Sequence, residues 1–362
     1  MVDSTVNAGV GAQTGFALQR NTALYLLLEN YVNKFKDKDY FICLEHHEDF
    51  LFCFLNEQNE AEVIEAYQSK KKSPNAWKLD DTLYQILKKL LKTGKTLLSD
   101  PYKRAKNNKH ILYFSTNQTI DLIVKEKQKV VESVSIKEDN EIVSYNALPD
   151  KIQDKITNGI NDNSLENDLG KLNFIWVDLN RTVEKQENEL VGQIDKVFGD
   201  RIYNKRAAVK ALIELFREIE EKYNKGNEAK LLDTSKRVDS KQIERTFNIL
   251  TGKSKCFDYW HNQAREVSIA LKIKPSERDE FKFAFESSFD FFKSYKAAEH
   301  REILEFAKAN ISKCETFTEE DNAAEMIHLF MKISTSSFGE IELKAIFFAA
   351  IFEVTFKGQE QK

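Results

Sequence analysis

The stretch YFICLEHHEDFLFCFLNEQNEAEVIEAYQSK, residues 40–70, decides the fold. It contains three short runs rich in aromatic and β-branched residues: YFICLEHH, DFLFCFLN and AEVIEAYQSK. A polar turn, NEQNEA, leads into the third run. Such runs between turn residues are typical of β-strands. The first two runs fit either one bent strand or a hairpin, and the third is a further strand.

Helices and further strands are predicted on both sides of this stretch. Two more apolar runs, HILYFST at 110–116 and NFIWVDL at 173–179, are typical of buried strands. Helices are predicted from Gly15 to about Phe35, from Asp80 to Leu98, after Asn117, and near 184–198 and 204–224. The polar residues 128–170 suit a long loop with short helices. This order predicts an α/β fold with a mixed sheet flanked by helices.

The C-terminal third has a different pattern. After about residue 225 there is no strand pattern, and KLLDTSKRVDSKQ is typical of a connector. The helical segment from Phe257 onward holds 15 of the 26 phenylalanines. Four of them form one stripe of an amphipathic helix: Phe281, Phe285, Phe289 and Phe292. We therefore expect a flexible tail over 1–13, an α/β domain over 14–250 and an all-α domain over 257–362.

Composition limits the possible functions. The chain has 362 residues and a formal net charge of -4, so it is not a wholly basic nucleic-acid binder. The four scattered cysteines form no CxxC pair, which argues against a zinc site or a disulfide framework. The N-terminus lacks the basic and apolar regions of a secretion signal. No apolar run approaches the roughly 20 residues that span a bilayer. We therefore expect a cytoplasmic protein without a membrane partner.

Asp49, Gln68 and Lys70 form a candidate active site. Alternate residues of a strand share a face, so Gln68 and Lys70 project together, about 6.6 Å apart. An adjacent strand carrying Asp49 could bring its carboxylate to the same place. Carboxylate and amide oxygens suit Mg²⁺, and a nearby lysine can hold a scissile phosphate. The spacing fits phosphodiester cleavage, although a solvated strand face is the alternative.

A basic stretch follows the candidate site. Residues 68–110 contain 11 Lys and one Arg against three Asp, which gives a local charge of +9. We predict that this stretch contacts DNA phosphates; the alternative is a solvated helix. The residues predicted to bind DNA are Lys71, Lys72, Lys88, Lys92 and Lys95. On a regular strand, His47 shares the face of Glu45 and Asp49, so it either supports catalysis or lies on the strand surface near DNA.

Four ordered segments carry a resemblance to a known family. GFALQ at 15–19, LEHHED at 44–49, YQSKKK at 67–72 and Trp77 resemble the double-stranded-DNA endonuclease domain of bacterial anti-phage defence effectors. That domain belongs to the PD-(D/E)xK superfamily and serves CBASS effectors, Lamassu A subunits and nucleases beside HerA-type ATPases. The resemblance covers roughly residues 14–250. It implies a restriction-endonuclease-like mixed sheet, followed here by the all-α domain.

The resemblance also implies roles for individual residues. Asp49 matches the metal-binding acid, Lys70 matches the catalytic lysine, and Gln68 stands where many relatives have Asp or Glu. Glu45, which we include in the catalytic set, and Gln19 match supporting polar positions. The implied cofactor is Mg²⁺ or Mn²⁺, held by Asp49 and Gln68. Because glutamine is neutral, the number of bound ions stays open.

The resemblance further implies partners. In CBASS effectors a nucleotide-sensing domain follows the nuclease, whereas the helical segment here does not resemble one. The arrangement is therefore most similar to a Lamassu A subunit. The implied partners are double-stranded DNA and an SMC-like ATPase, with a HerA-type ATPase as the alternative. Partner subunits would keep the effector inactive, and a homo-oligomer would be the active form. The competing hypothesis is a degenerate nuclease fold that only binds DNA or a partner.

Overall fold

The computed structural model of the chain describes residues 8–46, 49–72, 75–202, 204–222, 230–292, 297–314 and 318–359. Within these ranges the strands are β1 (Tyr40–His46), β2 (Asp49–Leu55), β3 (Ala61–Ser69), β4 (Trp77–Lys78), β5 (Arg104–Thr116), β6 (Ile120–Glu126), β7 (Lys129–Ile136), β8 (Ile142–Ser144), β9 (Leu172–Trp176) and β10 (Arg237–Asp239). The helices are α1 (Ala8–Glu29), α2 (Asp81–Leu98), α3 (Asp150–Ile160), α4 (Val183–Phe198), α5 (Lys205–Glu220), α6 (Ser240–Ala270), α7 (Arg278–Phe291), α8 (Ala298–Asn310), α9 (Glu319–Met331) and α10 (Glu340–Gln359). The chain divides into two units, residues 1–197 with 205–244, and residues 198–204 with 245–362.

A seven-stranded sheet in the order β10-β1-β2-β3-β5-β9-β8 forms the centre of the first unit. β1, β2 and β3 are antiparallel, whereas β3, β5 and β9 are parallel. β10 and β8 add antiparallel edges. This mixed sheet confirms the α/β prediction. Of the two alternatives for residues 40–55, the structure has the hairpin.

Helix α2 covers one face of the sheet. It begins at Asp81 because the Asp80 side chain accepts a hydrogen bond from the Leu83 amide at 3.0 Å. Its buried stripe includes Leu83, Leu87 and Leu91, which pack in the same core as the β5 side chain Leu112. Each buried leucine contributes about 1.5–3 kcal/mol relative to exposure. The helix lies so close to β5 that a Cβ added at Gly94 would meet Leu112 at 2.8 Å.

Helix α1 contacts the sheet at β2 and β3 and also contacts α5. It begins at Ala8 rather than Gly15, and a π-helical turn, Tyr31–Phe35, follows it. Residues 20–28 are buried around the whole helix, including the polar residues Arg20, Asn21 and Thr22. Arg20 pairs with Glu220 of α5 at 2.8 Å. Buried polar groups of this kind need partners, which fixes the helix in one position.

Three predictions about the connecting segments were wrong. The segment after Asn117 is not a helix but the hairpin β6–β7, which joins β4 in a separate three-stranded sheet. Residues 128–170 hold the strands β7 and β8 where a long loop was predicted, whereas the predicted short helices are present as α3 and two 3₁₀ segments. The connector after residue 230 contains β10. The physical reason for β6 is its period of two, since Ile120, Leu122 and Val124 are buried in alternation.

The second unit is helical, as predicted. The stripe Phe281, Phe285, Phe289 and Phe292 is buried in its core. α10 contacts α7, α8 and α9, and its residues 345–352 are buried all round. α9 begins at Glu319 because Thr318 Oγ1 accepts a hydrogen bond from the Asp321 amide at 3.1 Å. None of the helices in the described ranges is long and apolar enough to cross a membrane.

His110 is a half-buried histidine on β5 whose two ring nitrogens are shielded from solvent. Its ring lies close to Gly94 of α2, and neither ring nitrogen has a hydrogen-bond partner among the described residues. Burial, and then the positive charges of Lys171 and Arg104, lower the pKa of His110 from 6.5 to about 4. The folded state therefore requires the neutral imidazole.

We expect His110→Leu to reduce the acid sensitivity of the fold. Because the folded pKa lies below the unfolded pKa, this contribution to stability is complete above pH 6.5 and is lost as the pH falls toward 4. When the pH falls from about 7.5 to about 5, protonation of this histidine in the unfolded state lowers the free energy of unfolding of the wild type by about 2 kcal/mol. Urea unfolding at both pH values measures this, with His328→Leu in the second unit as control. An equal pH dependence in wild type and His110→Leu would contradict the assignment.

Candidate active site

The candidate site lies where β2 begins and β3 ends. Phe50 of β2 pairs with Tyr67 of β3 in an antiparallel register. The next positions along the two strands, Asp49 and Gln68, are therefore neighbours across the pair. The side chains of Glu45, His46 and Asp49, and the whole of residues 47–48, lie outside the described part of the chain, and with them the predicted role of His47.

Gln68 and Lys70 lie two positions apart along the same extended strand. Gln68 is 3% exposed, and Lys70 is half-buried just beyond the last residue of β3. The Lys70 amide donates to the Ser115 carbonyl of β5 at 2.9 Å, so the parallel ladder continues as far as Lys70. Alternation along an extended strand then gives Gln68 and Lys70 a common face.

Glu45 lies at an irregularity of β1. The β1–β2 register shifts between Leu44, which pairs with Phe50, and His46, which pairs with Asp49. Glu45 is the residue between them. Bulges of this type bend a strand and redirect its side chains, and they are frequent next to active sites. The backbone thus places Glu45 beside the start of β2.

Trp77 connects the candidate site to α2. Its ring is buried, and Nε1 donates to Thr116 Oγ1 at the end of β5 at 3.0 Å. Lys72 Nζ lies 4.7 Å from the centroid of the Trp77 ring and 3.2 Å from Asp80 Oδ2. Because Asp80 also caps α2, the cation of Lys72 is held between the ends of β3 and β5 and the start of this helix.

A layer of buried polar side chains lies behind the ends of β3 and β5, on the α1 side of the sheet. Ser69 Oγ donates to Thr22 Oγ1 at 3.3 Å. Asn21 Nδ2 donates to Gln186 Oε1 of α4 at 2.8 Å, and Asn21 is fully buried. Gln19 precedes Thr22 by three residues, which is about one helical turn. The predicted supporting residue therefore stands on the part of α1 that meets β3.

The same layer continues to the end of β5. Gln186 Nε2 donates to the Asn180 carbonyl at 2.7 Å, and Asn117 Nδ2 donates to the same carbonyl at 3.0 Å. The Asn180 amide donates to Glu189 at 2.6 Å, and burial raises the pKa of that carboxyl group. Sequence reasoning missed this layer. Its only local sign is the polar run STNQ at 115–118, directly after an apolar strand.

The predicted DNA-binding lysines separate into two groups. Lys71 and Lys72 adjoin Lys70, whereas Lys92 is eleven residues into α2, about 17 Å from its start. Lys88 Nζ lies 3.2 Å from the Ile160 carbonyl, and Lys95 donates to the Ser164 carbonyl. The structure thus brings only the first group to the candidate site.

The described side chains contain no group of three His, Cys, Asp or Glu that could hold a metal ion. A metal at this place would draw on the buried amide oxygen of Gln68 and on residue 49 beside it. Both supply oxygen ligands, which suit Mg²⁺ or Mn²⁺ better than zinc or copper. The donor types therefore fit a hard divalent ion.

One comparison with known proteins identifies the family of the chain. The family model for the dsDNA endonuclease domain of Cap4 matches residues 7–223, more than half of the chain. No curated protein and no solved structure matches the chain. Nuclease domains of this kind generally depend on a divalent metal. The chain therefore belongs to the Cap4 dsDNA endonuclease family, and it is a DNA endonuclease of anti-phage defence.

Proposed function

We propose that Asp49, Gln68 and Lys70 are the cleavage centre of this endonuclease. The observation that carries the proposal is the register, because Phe50 pairs with Tyr67 and leaves Asp49 beside Gln68. Lys70 follows on the same ladder through its bond to Ser115. The three strand positions lie together at one end of the sheet, and their residue types would supply a carboxylate, an amide oxygen and a cation.

Each residue has a distinct task in the proposed reaction. Asp49 and Gln68 would hold Mg²⁺ or Mn²⁺ through oxygen atoms. When bound, the ion supplies polarisation of the phosphate and activation of a water molecule. The Lys70 ammonium group would hold the scissile phosphate and balance the charge that develops on it. Glu45 would orient the attacking water from the neighbouring strand, with Gln19 behind β3.

Lys70→Ala tests the cleavage centre. We expect kcat to fall at least about 100-fold, because the charge that develops on the phosphate in the transition state loses its cationic partner. DNA affinity should change little, because the other cations still contact the phosphates of the bound DNA. Lys38→Ala removes an exposed lysine that precedes β1 and lies outside the basic stretch 68–110; it is the control and should keep cleavage within a few-fold. Supercoiled plasmid cleavage under single-turnover conditions gives both rates. A folded Lys70→Ala protein that cuts at the wild-type rate would refute the assignment.

The metal ligands are tested by removing and adding charge. Asp49→Asn should abolish cleavage and weaken Mg²⁺ binding in calorimetry, because one anionic ligand is lost. Gln68→Glu should tighten Mg²⁺ binding and retain cleavage, since it adds a carboxylate at the same position. Wild-type cleavage that persists in EDTA would exclude the metal mechanism.

We also propose that the second unit docks onto an ATPase partner and takes part in a homo-oligomer, as in a Lamassu-like effector. An SMC-like ATPase is the favoured partner, and a HerA-type ATPase is the alternative. The buried phenylalanine stripe serves the core of the unit itself. The side chains left for a partner are exposed apolar ones, of which Phe283 and Ile333 are 75% and 74% exposed. Large apolar side chains in water are typical of interaction sites.

Phe283→Glu and Ile333→Glu test this docking role. We expect either change to reduce copurification with the proposed SMC-like ATPase, and to shift the mass in solution toward the monomer, without loss of fold. Ser276→Glu adds the same charge at an exposed position of the same unit and serves as control. Unchanged association in both variants would place the docking surface elsewhere.

A further inference from the structure

The turn between β6 and β7 has an unfavourable backbone for its residues. Glu126 pairs with Lys129, so the loop consists of Lys127 and Gln128 alone. Both have positive φ, 46° and 68°. Two-residue hairpin loops with two positive φ angles are normally Asn-Gly or Asp-Gly. A lysine and a glutamine here hold a strained conformation, and such strain is concentrated at functional positions.

The same turn carries a concentrated positive charge. Lys125, Lys127 and Lys129 are exposed within five residues. The single acidic residue among them, Glu126, is paired with Lys151 of α3 at 2.7 Å. The tip therefore presents three cations without a competing carboxylate inside the turn, and the turn fixes their spacing.

The base of this hairpin adjoins the candidate active site. Ile120, the first residue of β6, pairs with Trp77 in a parallel register. Trp77 in turn donates to Thr116 at the end of β5. Lys127 lies seven residues beyond Ile120, about 23 Å along the strand. Ile152 and Ile156 of α3 share a buried core with Leu122 and Val124 of β6, so the hairpin is anchored along its length.

We propose that the β6–β7 tip, defined as residues 125–129, is a second DNA contact that holds phosphates at a distance from the cleaved bond. The proposal rests on the DNA-cleavage function proposed above. At 3.4 Å per base pair, 23 Å corresponds to about seven base pairs. The tip is a rigid cluster of positive charge that orients the duplex, while Lys70 acts at the scissile phosphate.

The chemistry of the tip favours DNA over a protein partner. Val130, beside the tip, is 56% exposed, and this exposure by itself is compatible with binding either DNA or a protein. Lysine is depleted in the cores of protein interfaces, whereas lysine clusters are the usual contact to phosphates. Three lysines around one strained turn therefore match a polyanion.

The first experiment removes the three charges together. Lys125→Gln, Lys127→Gln and Lys129→Gln in one full-length variant should lower the slope of log Kd against log salt by about 2.7, because each released phosphate contact contributes about 0.9. Binding is measured by fluorescence anisotropy in EDTA with a 40-base-pair duplex. Cleavage in Mg²⁺ should show a KM raised at least tenfold with kcat at saturating DNA retained. The matched control replaces Lys36, Lys38 and Lys241, exposed lysines outside the 68–110 stretch and next to the ends of β1 and β10 that lie away from the candidate site, and it should leave the slope unchanged.

The second experiment relieves the strain. Lys127→Asn with Gln128→Gly supplies the residues that the turn prefers, so Tm should rise while DNA affinity falls. Gln128→Gly alone should raise Tm without changing affinity. A purely structural turn would give a higher Tm and unchanged DNA affinity in both variants.

The outcomes separate this inference from the proposed function. A triple variant with the wild-type salt slope, while the wild type cuts DNA, overturns the tip contact and leaves the endonuclease intact. A wild type that binds DNA through the tip and never cuts supports the contact and refutes the cleavage centre. A triple variant that keeps DNA affinity but loses copurification with the ATPase overturns the proposal in favour of a protein-docking surface.

Discussion

The arrangement of the first unit depends on the burial of polar side chains at the ends of β3 and β5. Asn21 is fully buried, and although its Oδ1 atom has no hydrogen-bond partner among the described residues, its Nδ2 group would cost about 1–3 kcal/mol more if it also had none. Gln186 of α4 supplies that partner, and Thr22 binds Ser69 of β3 in the same layer. A small shift of α1 would leave several buried groups unsatisfied at once. The ends of the two central strands are therefore fixed by hydrogen bonds rather than by apolar packing alone.

At this end, the two faces of the sheet carry side chains with different roles. The α1 face holds the polar layer, while the opposite face carries Gln68 and the Thr116–Trp77 hydrogen bond. Because successive residues of a strand point to opposite faces, the bonds made by Ser69 also constrain Gln68 and Lys70 on either side of it. A reaction at a phosphate needs groups placed within a fraction of an ångström. The buried layer supplies this rigidity from the α1 side of the sheet, opposite to the side chains of Gln68 and Lys70.

The sequence predicted those features whose cause is local. The strands β1, β2 and β3 follow from aromatic and β-branched runs, and α2 follows from the Asp80 cap and its leucine stripe. The β6–β7 hairpin escaped prediction because Lys127 and Gln128 lack the Asn-Gly composition that normally marks such a turn. β10 escaped because it has only three residues. Within the candidate site, spacing predicted that Gln68 and Lys70 share a face, but the Asn21–Gln186 bond joins residues 165 positions apart and has no local pattern.

The charge distribution limits how strongly a single copy of the chain can bind DNA. The chain has 54 basic and 58 acidic residues, so its overall field repels DNA weakly. Attraction must then come from local clusters, such as Lys70–Lys72 beside the candidate site and the β6–β7 tip. A few phosphate contacts in one chain give an affinity that salt strongly reduces. Several copies on one duplex would multiply these contacts through effective concentration, without any new interaction within each chain. In the homo-oligomer proposed above, a net negative chain with small basic clusters would therefore gain most of its DNA affinity from the number of copies on one duplex.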